Sequence, residues 1–415
     1  MMKICVVGLG YIGLPTAAIL ASIGFNVVGV DINPKIIDLV NNKKIHIEET
    51  DLEEVVATVV SKGNLVAKTQ PEEADAFIVA VPTPKTEDNA CEVKYIISAM
   101  KSLIPYLKKG NTVIVESTIA PGTMEEVVLP LIEEAGFLVG KDLYLAHCPE
   151  RVLPGKILFE IVNNDRIVGG YTALCGSKAA DIYKAFTKGN ILISSLKVAE
   201  MTKLVENTFR DINIAFANEL VKVCDELNIN VHEVIQLANR HPRVNILQPG
   251  PGVGGHCLAI DPYYIVSKAP NSAKLTATAR EINSSMPIYV VSKVKELVRD
   301  IENPRIAALG MTYKENIDDV RESPSLEIIN LLMKENYEVR CYDPHVTKNL
   351  GQVKNLDQAI EGADLILLLV AHNEFVNLNL EAYTKKMRRP MVFDTKNCLE
   401  RTNNMQVIYL GWNER

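Results

Sequence analysis

Long apolar runs are missing from this sequence. Nowhere do about 18 apolar residues follow one another, the length a helix needs to cross a bilayer. The opening Met1-Met2-Lys3-Ile4-Cys5-Val6-Val7-Gly8 is broken by glycine too early to read as a cleavable leader. The expectation is a cytoplasmic protein. Paired cysteines are missing as well. The eight cysteines, at 5, 91, 148, 175, 224, 257, 341 and 398, are scattered, without the CxxC spacing of a metal site or the density of a disulfide scaffold. Each is expected to be a reduced thiol, and no metal is expected. Positive charge is in deficit: 44 Lys and Arg against 51 Asp and Glu give a net charge of -7, which offers no field to draw nucleic acid or an anionic membrane. An anionic substrate would have to be held by local cations. Low-complexity segments are absent too, and the 47% hydrophobic and 23% charged content is that of a folded globular chain. At 415 residues it exceeds what one core can hold, and about two to four domains are expected.

Short β-branched runs alternate with longer helical patterns from the start: Ile4 to Val7, Val27 to Val30, Ala76 to Val81, Thr112 to Glu116 and Leu143 to Ala146. That alternation predicts a parallel α/β sheet. From near residue 197 the rhythm changes, and Met201, Leu204, Val205, Ile212, Phe216, Leu220 and Val223 recur at helical steps, predicting one long amphipathic helix. A helical section is expected to about residue 300, apart from a Gly/Pro-rich loop at Gln248 to Gly255 and an extended stretch near Pro262 to Val266. Strand rhythm returns at Ile306 to Leu309, Val339 to Tyr342, Leu365 to Val370 and Met391 to Phe393, while the last dozen residues carry no legible pattern. The two ends look like versions of one unit. Ile4-Cys5-Val6-Val7-Gly8 is followed by Val28-Gly29-Val30-Asp31, and Ile306-Ala307-Ala308-Leu309-Gly310 by Arg340-Cys341-Tyr342-Asp343. The expected architecture is α/β, with two Rossmann-like parallel-sheet domains (1–196 and 303–415) joined by a helical central domain (197–302).

Gly8-Leu9-Gly10-Tyr11-Ile12-Gly13 matches GxGxxG, a weak signal alone. Here a buried strand precedes it, an Ala- and Leu-rich helix follows, and a second strand ends in Asp31. The glycines would permit a tight turn and close approach of a pyrophosphate, with its charge on the helix N-terminus, while Asp31 accepts from a ribose hydroxyl. Asp31 would repel a 2′-phosphate, so the expected cofactor is NAD. Thr83 and Thr118 stand just beyond strand ends, at the edge where open parallel sheets place ligands.

The densest signal is Gln248-Pro-Gly-Pro-Gly-Val-Gly-Gly-His-Cys257-Leu-Ala-Ile-Asp261. Its glycines would let the backbone approach a bound ligand, and they lead directly into a thiol. A cysteine is more often a small buried hydrophobe than a nucleophile, and that reading suits Cys5 and Cys341 and is preferred for Cys91, Cys148, Cys175, Cys224 and Cys398. Cys257 differs, because a loop of this composition gains nothing from a thiol. A thiolate needs a nearby cation. Lys203, with Asn207 one turn on, could supply one cation and one amide donor to an oxyanion, although on spacing alone such a pair is usually a solvated helix face.

These segments together resemble the UDP-glucose/GDP-mannose dehydrogenase family over nearly the whole chain, and within it most closely the branch acting on UDP-N-acetylmannosamine. The resemblance is carried by Val7 to Pro15, Glu116-Ser117-Thr118, Cys148-Pro149-Glu150-Arg151-Val152-Leu153-Pro154-Gly155, Lys203 with Asn207, and Gly254-Gly255-His256-Cys257 with Asp261. It implies an NAD-binding domain, a helical dimerisation domain and a C-terminal domain for the nucleotide sugar, working as a homodimer. It also implies Cys257 as nucleophile, Lys203 and Asn207 as oxyanion stabilisers, and Asp261, Thr118 and Glu150 in the handling of water. Gly8, Gly10, Tyr11, Ile12, Gly13, Asp31, Thr83, Thr118 and Arg321 would meet the cofactor. Glu150, Arg151, Val152, Lys203, Asn207, Arg210, Gly254, Tyr313 and Lys314 would meet the substrate, and Arg243 a neighbouring subunit's substrate. Glucose-oxidising members carry a second glutamate four positions after the one matching Glu150, and Pro154 stands there in this chain. The chemistry expected is a twofold oxidation of a primary alcohol to a carboxylate through a thioester on Cys257.

Overall fold

The computed structural model describes residues 2–47, 49–153, 155–346 and 351–412. The chain forms two compact units, one of Met1–Glu206 with Tyr263–Pro270, the other of Asn207–Pro262 with Asn271–Arg415. The first unit carries strands β1 (Lys3–Val7), β2 (Asn26–Val30), β3 (Leu65–Lys68), β4 (Ala76–Val79), β5 (Thr112–Val115), β6 (Tyr144–His147), β7 (Arg166–Gly170) and β8 (Ile191–Ser195). They form one sheet of order β3-β2-β1-β4-β5-β6-β7-β8, parallel except where β6 meets β7. The four residues from Ile4 to Val7 are all buried, as are Ala76 to Val79 and Thr112 to Val115. Central parallel strands are covered on both faces and therefore read as unbroken β-branched runs. The order reverses at β1, which has β2 on one side and β4 on the other, the kind of switch point at whose carboxyl ends open parallel sheets place ligands.

The second unit carries a wholly parallel sheet of β9 (Arg305–Leu309), β10 (Glu338–Tyr342), β11 (Leu365–Leu368), β12 (Met391–Asp394) and β13 (Gln406–Tyr409), in the order β10-β9-β11-β12-β13. The repeat seen in the sequence is structural. Lys3 to Val7 pair with Asn26 to Val30 in the same register as Arg305 to Leu309 with Glu338 to Tyr342. The carboxylate after each second strand accepts the N–H that follows the glycine: Leu9 to Asp31 at 3.0 Å, Met311 to Asp343 at 2.6 Å.

The long helix is Leu196–Leu227, 32 residues. Its part within the second unit is held to the helix Lys274–Val298 by a buried polar chain. Arg280 donates to Asp211 at 2.7 Å, Asn283 to Asp211 at 2.8 Å, Asn218 to Asn283 at 2.9 Å, and the Gly250 N–H to Asn218 at 2.9 Å. All four side chains are at most 4% exposed, so each polar group must find its partner here or carry a desolvation penalty.

Two sequence expectations need correction. Pro262 to Val266 is not extended but belongs to the helix Asp261–Lys268. Its proline sits in the first turn, where no N–H is needed, and Tyr264 and Ile265 are buried, so packing overrides the β-like composition. The last dozen residues hold β13, an edge strand whose pattern is only half-buried. Strands β3, β7 and β8 were not legible either. β3 and β8 are partly exposed edges, and the glycine pair ending β7 reads as a turn.

Candidate active site

In the first unit the GxGxxG segment leaves β1 and enters the helix Gly13–Ser22, which has no acidic residue in its first turn. Gly8 takes a φ of +94°, and a Cβ on Gly13 would run into the Gly8 carbonyl, so both positions require glycine. A Cβ on Gly10 would meet nothing within 4 Å. That open side, above an uncapped helix N-terminus, is the cradle a pyrophosphate needs. Asp31 is oriented by the N–H groups of Leu9 and Asn33, at 3.0 and 2.9 Å, and remains half-buried. Tyr11 is exposed beside it in sequence, and Ile12 half-buried. Beyond β4 and β5, Thr83 donates to the Thr118 carbonyl at 2.6 Å and Ser117 to the Val81 carbonyl at 2.7 Å, while the Tyr264 hydroxyl donates to the Thr83 carbonyl. Thr83 is thus a brace that fixes where Thr118 stands. These residues fit a dinucleotide.

Glu150, after β6, is held at both oxygens. Oε1 accepts the Arg151 N–H at 2.8 Å and Oε2 the Arg166 guanidinium at 2.9 Å. Arg151 itself pairs with Glu206 at 2.6 Å and donates to the Asp165 carbonyl, and Val152 packs on the core. The loop's far end is gripped by Glu49, whose two oxygens accept the N–H groups of Gly155 and Ile157, each at 2.7 Å. Pro154 lies outside the described residues.

Behind Glu150 lies a buried cluster. Glu116 is 2% exposed and accepts from Tyr183 at 2.7 Å and Thr16 at 3.3 Å. Burial raises its carboxyl to about 7, with Arg166 opposing. His147, fully buried, is pushed down to about 4 by desolvation, and burial lifts Cys148 to about 12.

In the second unit, Cys257 is exposed, and it is the only one of the eight cysteines that is. Its carbonyl accepts the N–H groups of Ile260 and Asp261, at 3.1 and 2.8 Å, and so sits at the start of the helix Asp261–Lys268. Asp261 is 3% exposed and accepts from the Asn207 amide at 2.6 Å. That bond uses one of the two Nδ2 hydrogens. Lys203, which belongs to the first unit, lies one turn before Asn207 on the long helix and is half-buried. His256 is pushed below its ordinary value by burial and by Arg321, so the residue beside the thiol is neutral at pH 7.

Two of the glycines before Cys257 are required by packing within the protein. A Cβ on Gly254 would stand 2.8 Å from the Tyr313 Cβ, and one on Gly255, at φ +86°, 2.7 Å from the Tyr313 ring. The Gly255 N–H donates to the Arg321 carbonyl at 3.2 Å. The space they leave is filled by the protein itself. Tyr313 opens the loop that carries Lys314, which is exposed, and this loop is anchored by a buried histidine. His372 accepts the Asn316 N–H on Nδ1 at 2.9 Å, so Nε2 carries the hydrogen and donates to Asp343 at 3.0 Å. Arg321 is engaged with Asp319 at 2.7 to 3.1 Å. Arg210 and Arg243 are exposed and join neither group of site residues.

Of the residues singled out in the sequence, the structure pairs Asn207 with Asp261 and sets Cys257 just before that aspartate; Arg166, Glu49 and His372 were not singled out, and Glu116 only as part of a motif. A lone charged residue in a strand or loop carries no periodic signal, and each acquires its meaning from partners 16 to 108 residues away in sequence.

Residues 2–187, 197–285 and 307–401 match, in order, the NAD-binding, central and UDP-binding domains of the UDP-glucose/GDP-mannose dehydrogenase family. The chain is 51% identical over 393 residues to the UDP-N-acetyl-D-mannosamine dehydrogenase of Campylobacter jejuni, covering 91% of this chain and 97% of the relative. It is 48% identical over 406 residues to the NDP-N-acetyl-D-galactosaminuronic acid dehydrogenase of Ralstonia solanacearum, covering 95% of each. A solved structure of the UDP-N-acetyl-mannosamine dehydrogenase from Staphylococcus aureus superposes with a TM-score of 0.92 at 50% identity, over 99% of this chain and 98% of that one.

The buried pair Glu116 and His147 makes a pH prediction. The folded chain keeps a proton on Glu116 that the unfolded chain releases between about 4.5 and 7, so this group makes stability fall as pH rises. His147 stays neutral between about 4 and 6.5 while the unfolded chain protonates, so it makes stability rise with pH. From about pH 5 to about pH 6.5 the two offset one another. Glu116→Gln leaves His147 unopposed, and its stability relative to the parent is expected to rise by about 1 kcal/mol per pH unit across that window. Denaturant titrations at the two ends of the window check this, and parallel profiles would mean that Glu116 is ionised in the fold.

Proposed function

The chain belongs to the UDP-glucose/GDP-mannose dehydrogenase family, and from that premise we propose that it oxidises the C6 alcohol of UDP-N-acetyl-D-mannosamine to the carboxylate, through a thioester on Cys257. The observation carrying this reading is Cys257 itself, the one exposed thiol of eight, joined by a short helix start to the Asn207–Asp261 pair. In this reading residues 1–196 hold the cofactor, 197–302 form the subunit contact, and 303–415 hold the nucleotide of the substrate.

Bound NAD supplies the hydride acceptor for both oxidations. Asp31 presents its carboxylate to the ribose hydroxyls and disfavours a 2′-phosphate, while the open side of Gly10 leaves the helix N-terminus to the pyrophosphate. The first oxidation takes hydride from C6 while the hydroxyl gives its proton to water in the site, leaving an aldehyde. An aldehyde carbon releases no second hydride until a nucleophile adds. The Cys257 thiolate adds to it, and the charge formed on oxygen is met by the Lys203 ammonium and the remaining N–H of Asn207. Loss of the second hydride leaves a thioester. Water then adds to its carbonyl and gives its proton to a carboxylate, the C–S bond breaks, and Cys257 departs as thiolate. We assign Asp261, Glu150 and Thr118 to that water, Lys314 to the diphosphate, and Arg321 to completing the site. Arg151, Val152, Arg210, Gly254 and Tyr313 are assigned to the sugar nucleotide.

The 48% identity to an N-acetylgalactosaminuronate enzyme supports a second reading, in which another N-acetylhexosamine nucleotide is the substrate. Purified protein given NAD with UDP-N-acetylmannosamine, UDP-N-acetylgalactosamine, UDP-N-acetylglucosamine or UDP-glucose is expected to form two NADH per sugar with the first and little with the others. Cys257→Ala is expected to lose at least about a thousandfold in kcat. Another preferred sugar overturns the substrate. One NADH per sugar, unaffected by loss of the thiol, overturns the mechanism.

On the helix Leu196–Leu227, Phe209, Phe216 and Val223 are 68%, 49% and 41% exposed, at seven-residue steps that place them on one face. An apolar stripe of this kind is costly in water, and we assign it to a second copy of the chain, with exposed Arg243 reaching that copy's substrate. No helix among the described residues is long and apolar enough to cross a membrane, and we place the enzyme in the cytoplasm. Sedimentation is expected to give a dimer, and Phe209→Glu with Phe216→Glu a monomer. A dimer that survives both substitutions would put the contact elsewhere.

A further inference from the structure

Glu150 is an unusual carboxylate to entrust with water, because its side chain is only 8% exposed and burying a carboxylate is costly unless a cation stands beside it. Arg166, 5% exposed, provides it from β7. The guanidinium is held at both terminal nitrogens and between two rings, while its buried Nε finds no hydrogen-bond partner among the described residues. Nη2 reaches Glu150 Oε2 at 2.9 Å and the Ile161 carbonyl at 3.4 Å, and Nη1 reaches the Cys148 sulfur at 3.7 Å. The Tyr183 and Phe186 rings lie 4.7 and 5.3 Å from its central carbon. The charged and titratable groups around it are Glu116 after β5, Glu150 and Cys148 after β6, and Tyr183 on the helix Ala173–Tyr183. Burial holds Glu116 at about 7, so near neutral pH it competes only partly for the cation, and the Cys148 thiol stays protonated.

We propose that Arg166 is the positioning residue of Glu150, pairing with its carboxylate and holding it in one orientation without touching substrate. The inference rests on the reading that Glu150 takes the proton of the water that attacks the thioester. In that step the water oxygen bonds to the carbonyl carbon, its proton moves to Glu150, and the C–S bond breaks with its electrons leaving on sulfur. A carboxylate without its cation in this setting would bind a proton at higher pH and lose its role as acceptor.

The test compares Glu150→Gln, Arg166→Gln, Arg166→Lys and the double Gln variant with the parent, using kcat, KM for the sugar nucleotide and the acid limb of the kcat profile. Arg166→Gln is expected to lower kcat by about tenfold or more with KM within about twofold, and to move the acid limb up by about one pH unit. Arg166→Lys is expected to recover part of both, and the double variant to be no slower than Glu150→Gln. If Arg166→Gln does not fold, Arg166→Lys decides the matter by a smaller shift in the same direction. An unmoved acid limb, or losses that multiply in the double variant, overturns the role of Arg166 while leaving that of Glu150. Turnover by Glu150→Gln at the parent rate overturns both.

Discussion

Two missing side chains hold the second unit's chemistry together. Because Gly254 and Gly255 carry no Cβ, the backbone before Cys257 lies directly against Tyr313 and the Arg321–Glu322 backbone. Any larger residue would have to push these segments apart, since atoms would meet at under 3 Å. The loop before Cys257 and the loop carrying Lys314 are therefore one rigid piece. The first is tied further to the long helix by Asn218 through Gly250, and Cys257 starts the helix whose Asp261 takes Asn207. Position at the thiol follows from packing that begins far from it.

The duplicated fold shows how one strand-end carboxylate has been put to two uses. Asp31 and Asp343 occupy matching places, each accepting the N–H after a glycine turn. Asp31 stays half-buried, with an edge for a ribose. Asp343 is 2% exposed and saturated by Met311, Thr312, His345 and His372. Burial works against its charge, but these hydrogen bonds more than offset that and leave it below the ordinary carboxylate range. In the second unit the carboxylate anchors, through His372, the loop that carries Lys314.

How much of this the sequence carried depends on range. Features set by neighbours in sequence were legible: the parallel strands, the glycine turn ending in Asp31, the long helix and the isolated thiol after its glycines. Features set by distant partners were not. Arg166 stands 16 residues from Glu150 in sequence, a spacing without meaning until β7 lies beside β6. His372 stands 29 residues from Asp343. The packing role of Gly254 and Gly255 was not legible for the same reason, because their neighbours are some 60 to 70 residues downstream. The stretch after Pro262 misled by composition, since β-branched residues in a short buried helix follow their packing rather than their propensity.

The central claim is that Cys257 carries the substrate as a thioester between the two oxidations and the release of acid. Rapid acid quench during turnover, followed by mass analysis of the peptide containing Cys257, tests it most directly. The account predicts a fraction of that peptide heavier by one uronyl nucleotide group, lost on treatment with hydroxylamine. An unmodified peptide throughout turnover, with the carboxylate still formed, would contradict it.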